Sequence, residues 1–163
     1  MSENQISDAL KLVPYGFYAV GSSFEGDHNV MVLNWLTQAS FEPQLIAIGL
    51  VKTAYSHGLI EKSGSFTVSL FRQEDKDAVM PFTKGRAKNP EKMQGAKFSL
   101  SPELGNPVLD SAVAFIECRV VNAVDTGGDH DIILAEVVNA EVRKPSEAKD
   151  MLTLPGIGWS YAG

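Results

Sequence analysis

"SAVAFIECRVVNAVDTGGDHDIILAEVVNAEV", residues 111–142, reads as one long hairpin. Two runs rich in valine, isoleucine and alanine flank a turn at Thr126 to His130, where Gly-Gly-Asp supplies the backbone freedom of a tight reversal. Alternation along the first arm puts Ala114, Ile116 and Cys118 on one face and Phe115, Glu117 and Arg119 on the other. A hairpin of this length commits the chain to antiparallel pairing.

Working outward, the same signals recur. "YGFYAVGSSF" (15–24) and "SFTVSLFR" (65–72) carry strand patterns, the second with Phe66, Val68 and Leu70 on one face. "EGDHN" (25–29) is a turn. "QLIAIGLV" (44–51) is a nearly all-apolar run, the pattern of a strand covered on both faces. "TAYSHGLIEKSG" (53–64) fits two to three turns of helix with Ala54, His57, Leu59 and Ile60 near one side and Gly64 as its C-terminal cap. "SDALKLV" (7–13) predicts a short amphipathic helical turn capped by Ser7 or Asp8, and "QEDKDAVMPF" (73–82) a short helix stopped by Pro81. "AKFSLSPELGNPVLD" (96–110) predicts a brief strand plus turns. Strands outnumber helices and tight turns replace helical crossovers. The expected fold is therefore mostly β, an antiparallel barrel with one or two short helices, in a single domain spanning 1–163.

Bulk composition narrows the function. The chain has 163 residues, long enough to bury roughly 68–70% of its unfolded surface without a metal or disulfide staple. Its formal net charge of −6 disfavours nucleic acid as a partner. Cys118 is the single cysteine, which excludes an internal disulfide and Cys-based zinc sites; its apolar neighbours predict a packing residue. His28, His57 and His130 are too widely spaced for a metal-ligand motif, so no metal is expected. No run approaches the ~18 apolar residues of a membrane span and the N-terminus shows no secretory pattern, so a cytoplasmic protein without membrane contact is expected.

Two stretches carry candidate chemistry. In residues 31–40, Asn34, Thr37, Gln38 and Ser40 interrupt an apolar strand at uneven spacing. A solvated face explains such residues; so does a flat heteroaromatic ligand that needs both stacking and edge hydrogen bonds. In "VKTAYSH" (51–57), Lys52, Thr53, Ser56 and His57 stand where a strand passes into a helix, a pattern for phosphate or for an ordinary N-cap. "TKGRAKNPEKMQ" (83–94) gathers positive charge in an acidic chain, as a solvated loop or a phosphate-attracting one.

"VPYGFYAVGSS", "VMVLNWLTQASFEP", "SGSFTVSLF", "GNPVLDSAVAFIECRVV" and "GGDHDIILAEV" occur in an order that resembles the flavin reductase-like, FMN-binding split-barrel family. The resemblance runs from about Val13 to the C-terminus. It implies a homodimeric split β-barrel holding FMN, or FAD, near the subunit interface, with NADH or NADPH as co-substrate. It implies that Met31, Val32, Leu33, Asn34 and Trp35, with Thr37, Gln38, Ala39 and Ser40, edge the ring and ribityl chain. Lys52, Thr53, Ser56 and His57 would hold the phosphate, and Phe82, Thr83 and Lys84 would cover the cofactor. His130 would meet the nicotinamide as the catalytic-side contact. Val32 and Asn34 depart from the Thr and Ser common in the family, and Pro43-Gln44 departs from its Pro-Pro.

Two functions follow from the resemblance. One is an FMN-binding oxidoreductase that passes hydride from NAD(P)H to flavin and on to free flavin, oxygen or a redox partner. The other is a flavin-binding electron-transfer module reduced by a partner protein, without nicotinamide activity.

Overall fold

The computed structural model describes residues 3–162. The fold is antiparallel and mostly β, as expected. Helix α1 (Glu3–Leu10) precedes β1 (Tyr18–Phe24), β2 (Asp27–Leu33), β3 (Leu36–Ser40), β4 (Leu45–Val51), α2 (Tyr55–Ser63) and β5 (Ser65–Leu70). After two 3₁₀ turns come the short β6 (Phe98–Leu100) and β7 (Pro107–Leu109), then the long hairpin β8 (Ala114–Asp125) and β9 (His130–Val142). Seven strands form one sheet in the order β2-β1-β5-β8-β9-β4-β3, and β6–β7 form a second, two-stranded sheet.

Its outermost strands, β2 and β3, are joined by only Asn34 and Trp35. Two linking residues span at most about 11 Å, so the sheet has to curl until its margins meet at that corner. The run from 31 to 40 is thus two strands on opposite margins and not one. Trp35 is drawn onto β4 by the Gly49 N–H, which donates to its carbonyl at 2.9 Å. Gly49 is needed there, because a Cβ would come within 2.9 Å of the indole.

The long hairpin turns where expected. Gly127 takes φ +76°, a conformation that favours glycine, and its N–H donates to Asp125 Oδ1 at 2.8 Å. Alternation along its first arm holds: Ile116 and Cys118 face the cluster of Phe66 and Val68, while Phe115 and Glu117 lie on the other face. The strand is covered on both faces, so Phe115, Glu117 and Cys118 are all fully buried, and the register shift opposite Glu117 and Cys118 is taken up by Val138 of β9. Glu117 accepts hydrogen bonds from Leu104 N–H at 2.8 Å, Glu103 N–H at 3.2 Å and Asn139 Nδ2 at 2.7 Å. Burial pushes its carboxyl up, but the Ser101 hydroxyl and these donors outweigh burial and hold it below the usual range. Burial, helped by Glu117, pushes the Cys118 thiol up to about 12, as suits a packing residue.

Four other expectations shift in detail. Helix α1 begins at Glu3, so Ser7 and Asp8 lie inside it. The turn at 25–29 shrinks to Glu25 and Gly26, both at positive φ, and Asp27, His28 and Asn29 join β2. Helix α2 turns Ser56 inward with Leu59 and Ile60, while Ala54 and His57 are half-buried; Gly64 caps it at φ +71°. Residues 73–82 make two 3₁₀ turns, with Pro81 inside the second and not beyond its end.

Core residues fall into two clusters. One fills the inside of the curled sheet with Val20, Leu33, Ile48, Leu50, Phe66, Val68, Cys118 and Ile133, together with Ile60 of α2. The other packs Phe17, Phe71, Phe82, Val108, Phe115 and Leu152 on the opposite side of β1 and β5. Strand β5 is accordingly covered on both faces. The second cluster roots the segment that carries Phe82, and so sets one wall of the site.

Candidate functional site

A cleft of about 630 Å³ opens between β2, the start of α2 and the loop from Phe82 to Lys92. Strand β2 contributes Asn29, Met31 and Val32; the β4–α2 junction contributes Val51, Thr53, Ala54, Tyr55 and Ser56. The loop supplies Phe82, Thr83, Gly85, Arg86, Pro90 and Lys92. Its volume lies within the range of small-molecule sites. Met31, Val32, Val51 and Phe82 give it an apolar wall, while Arg86 and Lys92 make its loop side cationic.

Three buried or uncapped polar groups look into this space. Asn29 Nδ2 donates to Ser56 Oγ at 2.8 Å, tying β2 to α2, and leaves Asn29 Oδ1 buried without a partner. Helix α2 starts after Ala54, which offers no side-chain cap; the His57 N–H donates to the Ala54 carbonyl at 3.0 Å, which leaves the Tyr55 and Ser56 N–H groups to meet an acceptor. Lys92 is 7% exposed and donates to the Lys84 carbonyl at 3.2 Å, pinning the loop on itself. Burial, reinforced by the nearby Arg86 guanidinium, lowers its ammonium to about 8.

The loop is anchored at its other side as well. Arg86 Nη1 donates to Asp27 Oδ1 at 3.0 Å and to the His28 carbonyl at 3.4 Å. Its guanidinium lies 4.0 Å from the centre of the Tyr55 ring, and the Tyr55 hydroxyl donates to Asp27 Oδ2. The Tyr55 bond and the Arg86 charge hold the Asp27 carboxyl below its usual range.

Of the residues picked from sequence, the fold brings Met31, Val32, Thr53, Ser56, Phe82 and Thr83 to this cleft. Leu33 belongs to the core cluster inside the curled sheet. Thr37, Gln38 and Ala39 lie exposed on the margin strand β3, with Ser40 half-buried at its end. Lys84 is exposed and meets the site through its carbonyl. Lys52 and His57 point the other way, to the hairpin: Lys52 Nζ bonds Asp125 Oδ1 at 2.6 Å, and His57 Nε2 meets Asp131 Oδ2 at 2.6 Å.

His130 and Trp35 form a second group. Their rings are 4.5 Å apart, Tyr161 lies 5.3 Å from the indole, and Asp129 Oδ1 holds His130 Nδ1 at 2.6 Å. The Trp35 indole N–H is buried and unpaired. The other Gly-Asp-His histidine, His28, bonds Ser23 Oγ at 2.7 Å and packs on Phe98.

Sequence reasoning passed over Asn29, Tyr55, Arg86 and Lys92. Alternation along β2 puts Asn29 on the face of Met31, which was a usable signal. Arg86 and Lys92 were legible only as charge in a loop.

A curled antiparallel sheet whose cleft has an apolar wall, a cationic loop and an uncapped helix start has the shape and charge that suit a flat, anionic small molecule. Residues 10–156 match the flavin reductase-like domain family, and the chain belongs to it. It is 32% identical over 144 residues to the actinorhodin polyketide dimerase of Streptomyces coelicolor, covering 87% of this chain and 78% of that one. It is also 32% identical over 142 residues to a ferric-chelate reductase (NAD(P)H) of Archaeoglobus fulgidus, covering 86% and 83%. Among solved structures, the NADH:FAD oxidoreductase of Streptomyces globisporus superposes with a TM-score of 0.76 at 26% identity, covering 86% of this chain and 83% of that one.

Proposed function

We propose that the cleft binds a flavin nucleotide and that the protein is a NAD(P)H-dependent, flavin reductase-like oxidoreductase. The observation that carries this is the polarity of the cleft, with the apolar wall of Met31, Val32, Val51 and Phe82 beside the cations Arg86 and Lys92. An isoalloxazine ring suits the first and a phosphate the second. The free Asn29 Oδ1 is an acceptor that a ribityl hydroxyl or a ring N–H would satisfy.

Flavin, when bound, supplies a ring that takes hydride from a reduced nicotinamide and releases electrons to an acceptor. The chain's own part is positional. Phe82 and Val32 exclude water from the wall, Asn29 and Ser56 fix the helix start against β2, and Arg86 and Lys92 supply positive charge for an anion. Among the described residues no acid–base pair lines the cleft, and hydride transfer does not require one. We assign His130 to the nicotinamide side, a reading supported by the resemblance of its Gly-Asp-His segment to the family. Its imidazole is fixed by Asp129 and Trp35, and the unpaired indole N–H beside it is a donor that a carboxamide oxygen could take.

His130 does not line the cleft within one chain, so this reading requires a second copy. The exposed apolar side chains Val121, Val124 and Ile132 on the hairpin are the surface offered for a homodimer. Sedimentation of the flavin-loaded protein should give a dimer; a monomer with tightly held flavin would contradict it. Among the described residues no helix is long and apolar enough to cross a membrane.

An anaerobic absorbance titration tests the main reading. The purified protein, reconstituted with FMN or FAD, should bleach on addition of NADH or NADPH. A protein that takes up neither flavin refutes it. A second reading rests on Val32, which lines the cleft without a hydroxyl to offer: flavin bound for electron transfer from a partner protein. Flavin that stays oxidised with both nicotinamides but is reduced by a ferredoxin-type donor would select that alternative.

A further inference from the structure

Beyond the cleft, on the other side of Tyr55, lies a second groove of about 600 Å³. It is bordered by Phe24, Asp27, Lys52, His57 and Lys62, and it shares Ala54 and Tyr55 with the cleft. The two spaces adjoin at the cleft's anionic-ligand end, where α2 begins. Between them stands the cluster of Asp27, Tyr55 and Arg86. Asp27, from the β1–β2 hairpin, holds both the Tyr55 hydroxyl and Arg86 Nη1, and the guanidinium covers the Tyr55 ring at 4.0 Å. Three separate elements are thereby clasped across the passage.

A mononucleotide needs only the cleft. A dinucleotide has to carry its second half past Tyr55 into the groove, where an adenine would compete with the Arg86 guanidinium for the same aromatic face. Asp27 opposes that exchange by holding both Tyr55 and Arg86 in place. We propose that Asp27, Tyr55 and Arg86 form a clasp that sets how long a flavin nucleotide this chain accepts, favouring FMN over FAD. This rests on the cleft being the flavin site.

The clasp is tested by titrating flavin-free protein with FMN and with FAD and following the quenching of flavin fluorescence, which needs no turnover. The native protein should bind FMN at least tenfold more tightly than FAD. Asp27→Ala, which lies outside the cleft lining, should narrow that ratio at least fivefold, chiefly by tightening FAD. Tyr55→Phe keeps the ring but drops the hydroxyl contact; it should narrow the ratio by a smaller factor, and it serves if Asp27→Ala folds poorly. Equal binding of the two flavins by the native protein overturns the clasp, as does a ratio unmoved in both variants, and either leaves the flavin site standing. Binding of neither flavin overturns the flavin reading and the clasp together.

Discussion

Lys52 Nζ sits 2.6 Å from Asp125 Oδ1 and 3.9 Å from Asp131 Oδ1, turned from the cleft towards the hairpin turn. Asp125, and then its acidic neighbours, raise the Lys52 ammonium above its ordinary value. Lys52 is turned away from a phosphate at the start of α2, whereas Arg86 lines the cleft and its contacts with Asp27 and the His28 carbonyl use only Nη1, which leaves its other N–H groups to donate. Flavin titrations should therefore separate the two: Lys52→Ala should weaken FMN binding by less than threefold, Arg86→Ala by tenfold or more. The reverse order would show that Lys52 leaves Asp125 when ligand enters.

Lys92 links the site to pH. Its folded value of about 8 lies below the ordinary lysine range, so the folded protein sheds this proton before the unfolded chain does. Below pH 8 the buried charge costs stability, and the cost is relieved as pH rises from 8 towards the unfolded value. Affinity for an anion should move the opposite way, falling as Lys92 loses its charge above pH 8. Lys92→Met should flatten that fall and stabilise the protein at neutral pH by on the order of 1 kcal/mol. A native protein whose FMN affinity is level from pH 7 to 9 would remove Lys92 from the site.

Glu117 is fully buried and serves three donors on two segments. Glu117→Ala strands them, at about 1–3 kcal/mol for each donor left dry. Thermal melts at pH 7 should show a drop of many degrees. The depressed carboxyl makes this contribution full above the unfolded glutamate value and lost as pH falls through the folded one. The gap between native and variant melting temperatures should accordingly close in acid, and a gap that persists there would assign the loss to packing.

His130→Ala removes the ring packed at a tilt against Trp35 and leaves the cleft lining intact. Steady-state kinetics should show nicotinamide KM rising severalfold with FMN affinity within twofold of native. Loss of flavin affinity would move His130 from the nicotinamide to the flavin.

Much of the fold was legible because its rules are local. Gly-Gly-Asp between two β-branched runs gave the β8–β9 hairpin, and Gly64 gave the end of α2. What failed was non-local. Nothing in the spacing of residues 31–40 shows that Leu33 and Leu36 belong to opposite margins, because that depends on the whole sheet curling. Alternation puts Glu117 on the face of Phe115 but does not show that the 101–109 segment buries that face as well. In the site, Lys52 and His57 have the right chemistry for phosphate, but carboxylates from a hairpin some 70 residues away claim them. Arg86 and Lys92 gain meaning only from Asp27, Tyr55 and the Lys84 carbonyl, which are brought to them by folding.

The two-residue joint at Asn34 and Trp35 also bears on how the molecule comes apart. Margin strands ordinarily fray independently, yet here both belong to one continuous piece of chain, residues 27–40. That piece can peel away while β1, β5, β8, β9 and β4 keep their ladder. Deuterium should therefore enter the amides of both margins at a common rate, ahead of the central five strands, and flavin seated against Met31 and Val32 should slow them together.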